Sequence, residues 1–95
     1  MQDPAIFILA SLADGEKHGY AIMEDIRVFA GVRLGPGTLY GAIARLEQRG
    51  WIQAVKTCSR RQPYRLTAEG SQRLKEQLAL LGQVVRTGTR RLREA

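Results

Sequence analysis

Residues 37–52 read Gly37-Thr38-Leu39-Tyr40-Gly41-Ala42-Ile43-Ala44-Arg45-Leu46-Glu47-Gln48-Arg49-Gly50-Trp51-Ile52, and a change of period inside them decides the fold. Leu39, Ile43 and Leu46 recur at helical spacing. The segment Leu34-Gly35-Pro36-Gly37 breaks the chain just before them and Gly50 stops the run, so a helix is expected from about Thr38 to Gly50. At about 100° per residue, Thr38, Gly41, Ala42, Arg45, Gln48 and Arg49 fall together opposite the apolar stripe. A face that is small at its start and cationic or amide-bearing further along suits entry into a DNA major groove, where base edges are read. An ordinary solvated helix face has the same pattern.

Past Gly50 the period drops to two. Trp51 to Lys56 and Tyr64 to Leu66 read as two short strands joined by Thr57-Cys58-Ser59-Arg60-Arg61-Gln62-Pro63. This is a β-hairpin with adjacent arginines at its tip, and Pro63 is expected at an edge because it has no amide to donate to a ladder. Trp51, just after the helix stop, is expected to anchor the hairpin to the core, with stacking on a bound effector as the alternative.

Upstream, Asp3-Pro4 is a good helix start, and Ile6, Leu9, Ala10 and Ala13 follow at helical spacing until Asp14-Gly15. A second helix is expected from about His18 to Ala30, with Ile22, Ile26 and Phe29 on one face and Gly31 as its stop; Glu24 and Asp25 make its outer face acidic. His18, the chain's one histidine, reads as a turn or cap and not as a general base. Downstream, Thr67 is placed to cap a last helix from about Ala68 to Arg93. Leu74, Leu78, Leu81, Val85, Gly88 and Leu92 repeat in that helix at alternating intervals of four and three, a heptad seam weakened by its glycines and threonines. A helix of ~38 Å exceeds what so small a domain covers, so its seam should meet the same helix of a second copy.

Charge is uneven along the 95 residues. The net charge is +6, yet residues 1–50 hold five cations against six acids, whereas Trp51 to Leu66 hold Lys56, Arg60, Arg61 and Arg65 with no acid. A wholly basic stretch in mid-chain points to a polyanionic partner, since each phosphate neutralised releases condensed counterions; a solvated basic hairpin is the plainer reading. One cysteine, Cys58, excludes an internal disulfide and any multi-thiolate metal site. A tolerated exposed thiol is expected there, with a redox sensor as the alternative. The longest apolar stretch, Ala5 to Ala13, is interrupted by Ser11 and is too short to cross a membrane, so a soluble cytoplasmic protein is expected. No nucleophile, base and carboxylate stand at motif spacing, no glycine-rich loop follows a strand, and no ligand cluster is visible, so neither an enzyme nor a metal or cofactor site is expected.

The reading is therefore of a mainly α chain with a small β-hairpin, the order of a winged helix-turn-helix (1–67) followed by a C-terminal dimerisation helix (68–95). Three stretches carry a resemblance: His18-Gly19-Tyr20-Ala21-Ile22, residues 37–52, and Tyr64-Arg65-Leu66-Thr67-Ala68-Glu69-Gly70. On these the chain resembles the PadR family of bacterial transcriptional regulators over nearly its whole length. The resemblance implies a homodimer on double-stranded DNA, commonly a repressor. The third helix would read the major groove, presenting Thr38, Tyr40, Gly41, Arg45, Gln48 and Arg49. The wing would touch the backbone or minor groove through Lys56, Arg60 and Arg61, and Leu74, Leu78, Leu81, Val85 and Leu92 would make the subunit contact. Tyr40 lies at the border of the apolar stripe, so either its hydroxyl reaches a phosphate or its ring packs under the wing. Many relatives answer to a small-molecule effector, but a single helix after the wing resembles the short branch of the family, which lacks the larger effector-binding region. A winged-helix module that pairs only with protein remains an alternative, as does a MarR-like or ArsR-like regulator.

Overall fold

Asp3 begins the first helix as the sequence predicts. Its carboxylate accepts from the Ala5 amide at 2.9 Å and Pro4 takes the first helical position, where no amide is needed. In the computed structural model, which describes residues 3–95, α1 spans Pro4–Ser11 and tightens into a 3-10 turn over Leu12–Asp14, in place of the continuous helix expected to Ala13. A two-residue strand β1 (Lys17–His18) leads into α2 (Gly19–Ala30), and α3 covers Pro36–Gln48. Then come β2 (Ile52–Ala54), β3 (Pro63–Leu66) and α4 (Ala68–Glu94).

α3 starts two residues earlier than expected because Pro36, like Pro4, supplies a preset φ where a helix has no use for an amide. α2 and α3 are followed by Gly31 and Gly50, whose φ values of 68° and 75° reverse the chain in the left-handed region at little cost.

The hairpin is one part of a three-stranded antiparallel sheet in the order β1-β3-β2. Lys17 pairs with Tyr64 and His18 with Pro63 on one side of β3; Ile52 pairs with Leu66 and Ala54 with Tyr64 on the other. Pro63 is thus on the central strand and not at an edge. It is tolerated as the first residue of β3, where its carbonyl accepts from the Val55 amide at 3.0 Å.

The core is formed by Ile8, Leu9 and Leu12, by Ile22 and Ile26 of α2, by Leu39, Ala42, Ile43 and Leu46 of α3, and by Ile52, Tyr64 and Leu74. Each fully buried aliphatic side chain contributes ~1.5–3 kcal/mol. The one buried polar side chain among the described residues, Ser11, donates to Asp25 at 2.7 Å and ties α1 to α2. Asp25 thereby turns inward from the outer face it was expected to occupy.

α4 is seated by its first turn. The Thr67 hydroxyl accepts from the Gly70 amide at 3.0 Å and donates to the Gly50 carbonyl at 2.6 Å, while the Thr67 amide donates to the Trp51 carbonyl at 3.1 Å. Gly70 is buried against Trp51, so closely that a Cβ there would lie 2.7 Å from the Trp51 carbonyl carbon. From this seat α4 runs ~40 Å outward and stretches the molecule to 56 Å.

Candidate nucleic-acid interface

The burial of Leu39, Ala42, Ile43 and Leu46 sets which way α3 faces. Ala42 was placed opposite the apolar stripe on sequence grounds; the structure buries it, 1% exposed. Including Ala42 turns the centre of the stripe, and helical geometry then puts Gly37, Gly41, Ala44 and Gln48 at the middle of the outward face. Thr38 and Arg45 flank that strip on one side, Tyr40 and Glu47 on the other. Gly37 and Ala44 were not singled out from the sequence. The signal was present but needed Ala42 counted as apolar. Three small residues leave the helix backbone free to approach a surface closely, with Arg45 and Gln48 reaching past them.

Arg49 departs from this face. Its guanidinium stacks over the Trp51 ring at 5.1 Å, and Arg73 of α4 stacks on the same ring at 5.3 Å. Trp51 packs against the core and takes two cations on its ring, each worth ~0.5–1 kcal/mol at an exposed site. All three line a cleft of about 290 Å³ together with Ile6 of α1 and Gln77 and Leu81 of α4.

Tyr40 projects from α3 toward the start of α2, where a Cβ on Gly19 would lie 2.6 Å from its ring carbon Cζ. A side chain at position 19 would displace the Tyr40 ring from this approach. Tyr40 remains half exposed and lines a cleft together with His18, Gly19, Tyr20, Arg60, Arg61 and Gln62. The wing between β2 and β3 is folded by its own polar side chains. The Ser59 amide donates to the Thr57 hydroxyl at 3.0 Å, the Arg61 amide to the Ser59 hydroxyl at 3.2 Å, and the Gln62 side chain to the Val55 and Pro63 carbonyls at 2.8 and 2.7 Å. Lys56, Arg60 and Arg61 are exposed, as is Cys58 within the loop.

The ion pairs among the described residues are Lys17–Asp14, Arg27–Glu24, Arg73–Glu76 and Arg90–Glu94. None engages Arg45, Arg60 or Arg61. Among the described residues no group of three or more His, Cys, Asp or Glu is placed to hold a metal, and no helix is long and apolar enough to cross a membrane.

On α4, Leu74 is taken into the protomer's own core, 5% exposed, and is not free for a partner as expected. The same stripe continues along the projecting helix with Leu78 at 50%, Leu81 at 46%, Val85 at 64% and Leu92 at 80% exposure. Val84 borders it, while Leu80 is exposed about 120° from its centre.

The model of the transcriptional regulator PadR-like family matches residues 8–76. The chain belongs to the PadR-like family of transcriptional regulators. Members of that family are transcriptional regulators and not enzymes. A PadR family regulator from Clostridium difficile superposes with a TM-score of 0.86 at 25% identity, over 96% of this chain and 99% of that one. PadR of Bacillus subtilis, solved in complex with operator DNA, superposes with a TM-score of 0.73 at 25% identity, over 81% of this chain and 48% of that one. An uncharacterised 37.1 kDa protein of transposon TN4556 from Streptomyces fradiae is 43% identical over 75 residues, which are 79% of this chain and 22% of that protein. The chain thus spans less than a quarter of that relative's length.

Proposed function

We propose that this PadR-like chain binds double-stranded DNA sequence-specifically as a homodimer and represses transcription in the bacterial cytoplasm. The observation that carries the reading is the α3 face. Gly37, Gly41 and Ala44 form a small-residue strip beside Arg45 and Gln48, next to a wing whose cations have no carboxylate partner. Thr38, Gly41, Arg45 and Gln48 are assigned to the groove, and Tyr40, Lys56, Arg60 and Arg61 to the backbone; Arg49 is assigned to Trp51. The B. subtilis relative is solved in complex with operator DNA, which supports DNA as the partner.

The dimer contact is assigned to α4 from Leu78 onward, through Leu81, Val85 and Leu92, because this apolar stripe leaves the domain that covers its beginning. The division is a DNA-binding unit up to Thr67 and a dimerisation helix from Ala68, whose first two turns also serve the core. Two copies would set two α3 helices one DNA turn apart, ~34 Å, and a dimer seated on a promoter excludes polymerase. A small-molecule effector in the cleft beneath Trp51 would touch Leu81 and so report on the dimer contact.

The test is fluorescence anisotropy with duplex DNA from upstream of the gene against a scrambled duplex, over a range of salt. Arg60→Ala with Arg61→Ala should weaken binding to both duplexes alike and make the slope of log K against log salt shallower by about one to two. Preference for neither duplex, with no salt dependence, would favour the protein-binding module instead.

A further inference from the structure

We propose that His18, Arg61 and Tyr40 form a phosphate clamp joining the wing to the start of α2, and that one phosphodiester of the bound DNA occupies it; the inference rests on the DNA-binding reading. The decisive feature is a conflict among donors around the His18 ring. Its Nδ1 accepts from the Ala21 amide at 3.2 Å, capping α2. Its Nε2 lies 3.3 Å from Nη1 of Arg61, reached from the wing 43 residues away. An amide and a guanidinium only donate, whereas a neutral imidazole has one accepting nitrogen and an imidazolium has none. In every protonation state at least one of these contacts is donor to donor. With the cap made, the ring proton is on Nε2, so Nε2–H and Arg61 aim at the same place.

An anionic oxygen placed between them resolves the conflict by accepting from both, as a charge-assisted hydrogen bond. The surroundings suit that occupant. The cleft is about 390 Å³, and the side chains that line it are His18, Tyr20, Tyr40, Arg60, Arg61 and Gln62, with no carboxylate. The nearest cation on β1, Lys17, is already engaged by Asp14 and by the Ser11 carbonyl. Tyr40 comes from α3 itself, held against Gly19, so a phosphate in the clamp would touch the recognition helix, the start of α2 and the wing together. Such a contact carries no sequence information and fixes the register in which α3 meets the bases.

His18 is the only histidine in the chain, so its ring nitrogens give one unambiguous set of NMR signals. In the full chain the free protein should show the Nε2–H tautomer. Inorganic phosphate should shift the ring signals saturably at millimolar concentration against sodium chloride of equal ionic strength, and Arg61→Gln should abolish the saturation. A response no different from that to chloride overturns the clamp, and this arm needs no variant to fold.

The DNA arm uses His18→Asn, which keeps an oxygen to cap Ala21 but cannot reach Arg61. Affinity for the upstream duplex should fall about three- to tenfold with an unchanged Tm, and the salt slope should hold. Arg61→Gln should lower affinity and reduce the slope by about one. The double variant should lose less than the product of the two single losses, because both act on one phosphate. A methylphosphonate at that phosphate should weaken the wild type and leave the double variant unaffected. Full affinity in folded His18→Asn, with the wild type binding DNA, refutes the clamp and leaves the DNA reading intact. Saturable phosphate binding in a protein that binds no duplex refutes the DNA reading and, with it, DNA as the occupant of the clamp.

Discussion

Gly70→Ala should destabilise the protein even though alanine is the better helix former. Inside a helix alanine is favoured over glycine by ~1 kcal/mol. At position 70, however, the added Cβ would lie 2.7 Å from the Trp51 carbonyl carbon and 3.0 Å from Cδ1 of Leu66, whereas ordinary contact begins at 3.4 Å. One obstacle is backbone, so α4 must retreat by about an ångström. Retreat stretches the Thr67 amide bond to Trp51 at 3.1 Å and the Thr67 hydroxyl bond to Gly50 at 2.6 Å, each worth ~1 kcal/mol net. It also loosens Leu74 in the core; overpacking of this kind costs ~1–3 kcal/mol. After the propensity gain the net loss is ~2–4 kcal/mol, which for a domain of this size lowers Tm by ~10–25 °C. Gly82→Ala, in the same helix but off the apolar stripe and meeting only the flexible end of Arg86 at 3.3 Å, should raise Tm by a few degrees. Thermal melts followed by far-ultraviolet circular dichroism, at one protein concentration because a dimer's Tm depends on it, compare the two. A Gly70→Ala protein melting at or above the wild type would refute the seating of α4 on Trp51.

Arg45→Ala should reduce discrimination between operator and scrambled duplex by ~1–3 kcal/mol with Tm unchanged, whereas Arg49→Ala should lower Tm slightly and leave discrimination alone; anisotropy and melting separate the two. Leu78→Glu with Leu81→Glu should sediment as a monomer at micromolar concentration and bind DNA poorly, since each leucine is worth ~1.5–3 kcal/mol and two-fold symmetry counts it twice; a dimeric variant would place the interface elsewhere. Burial, with the Glu47 and Tyr40 charges adding to it, raises the Tyr64 phenol above its usual 10.0. The folded state therefore holds the phenol neutral while the unfolded chain ionises, so this contribution is full below about pH 10 and is lost as pH rises through the folded value. Melts from pH 8 to 11 should show a smaller alkaline loss of Tm in Tyr64→Phe than in the wild type.

The features legible in the sequence are those decided by near neighbours in the chain. Asp3 and Thr67 cap their helices through amides two or three residues on, as does the His18 ring, and Gly31 ends α2 through its own backbone. The switch from helical to strand period after Gly50 located the hairpin for the same reason. β1 was invisible because two residues have no period and exist as a strand only by pairing with Tyr64 and Pro63. That pairing also moved Pro63 from the expected edge to the centre of the sheet.

Within the candidate interface, the sequence by itself determined the inventory: a helix with small and cationic positions, a basic wing without acids, and a long amphipathic helix. Tertiary structure decided which side chains face outward together. Alanine's weak hydropathy leaves its side undetermined until a core closes over it, so Ala42 went inward and the outward strip turned to Gly37, Gly41, Ala44 and Gln48. Arg49 was drawn to the Trp51 ring beside Arg73, a partner 24 residues further along the chain. Leu74 and Leu78 belong to one heptad stripe, and only the position of the domain's edge separates a core residue from an exposed one. His18 could be read as a cap from the sequence, but its meeting with Arg61 required the wing to fold back across the start of α2. Capping and periodicity are set within a helical turn, whereas the facing of a side chain depends on contacts whose partners the local sequence does not name.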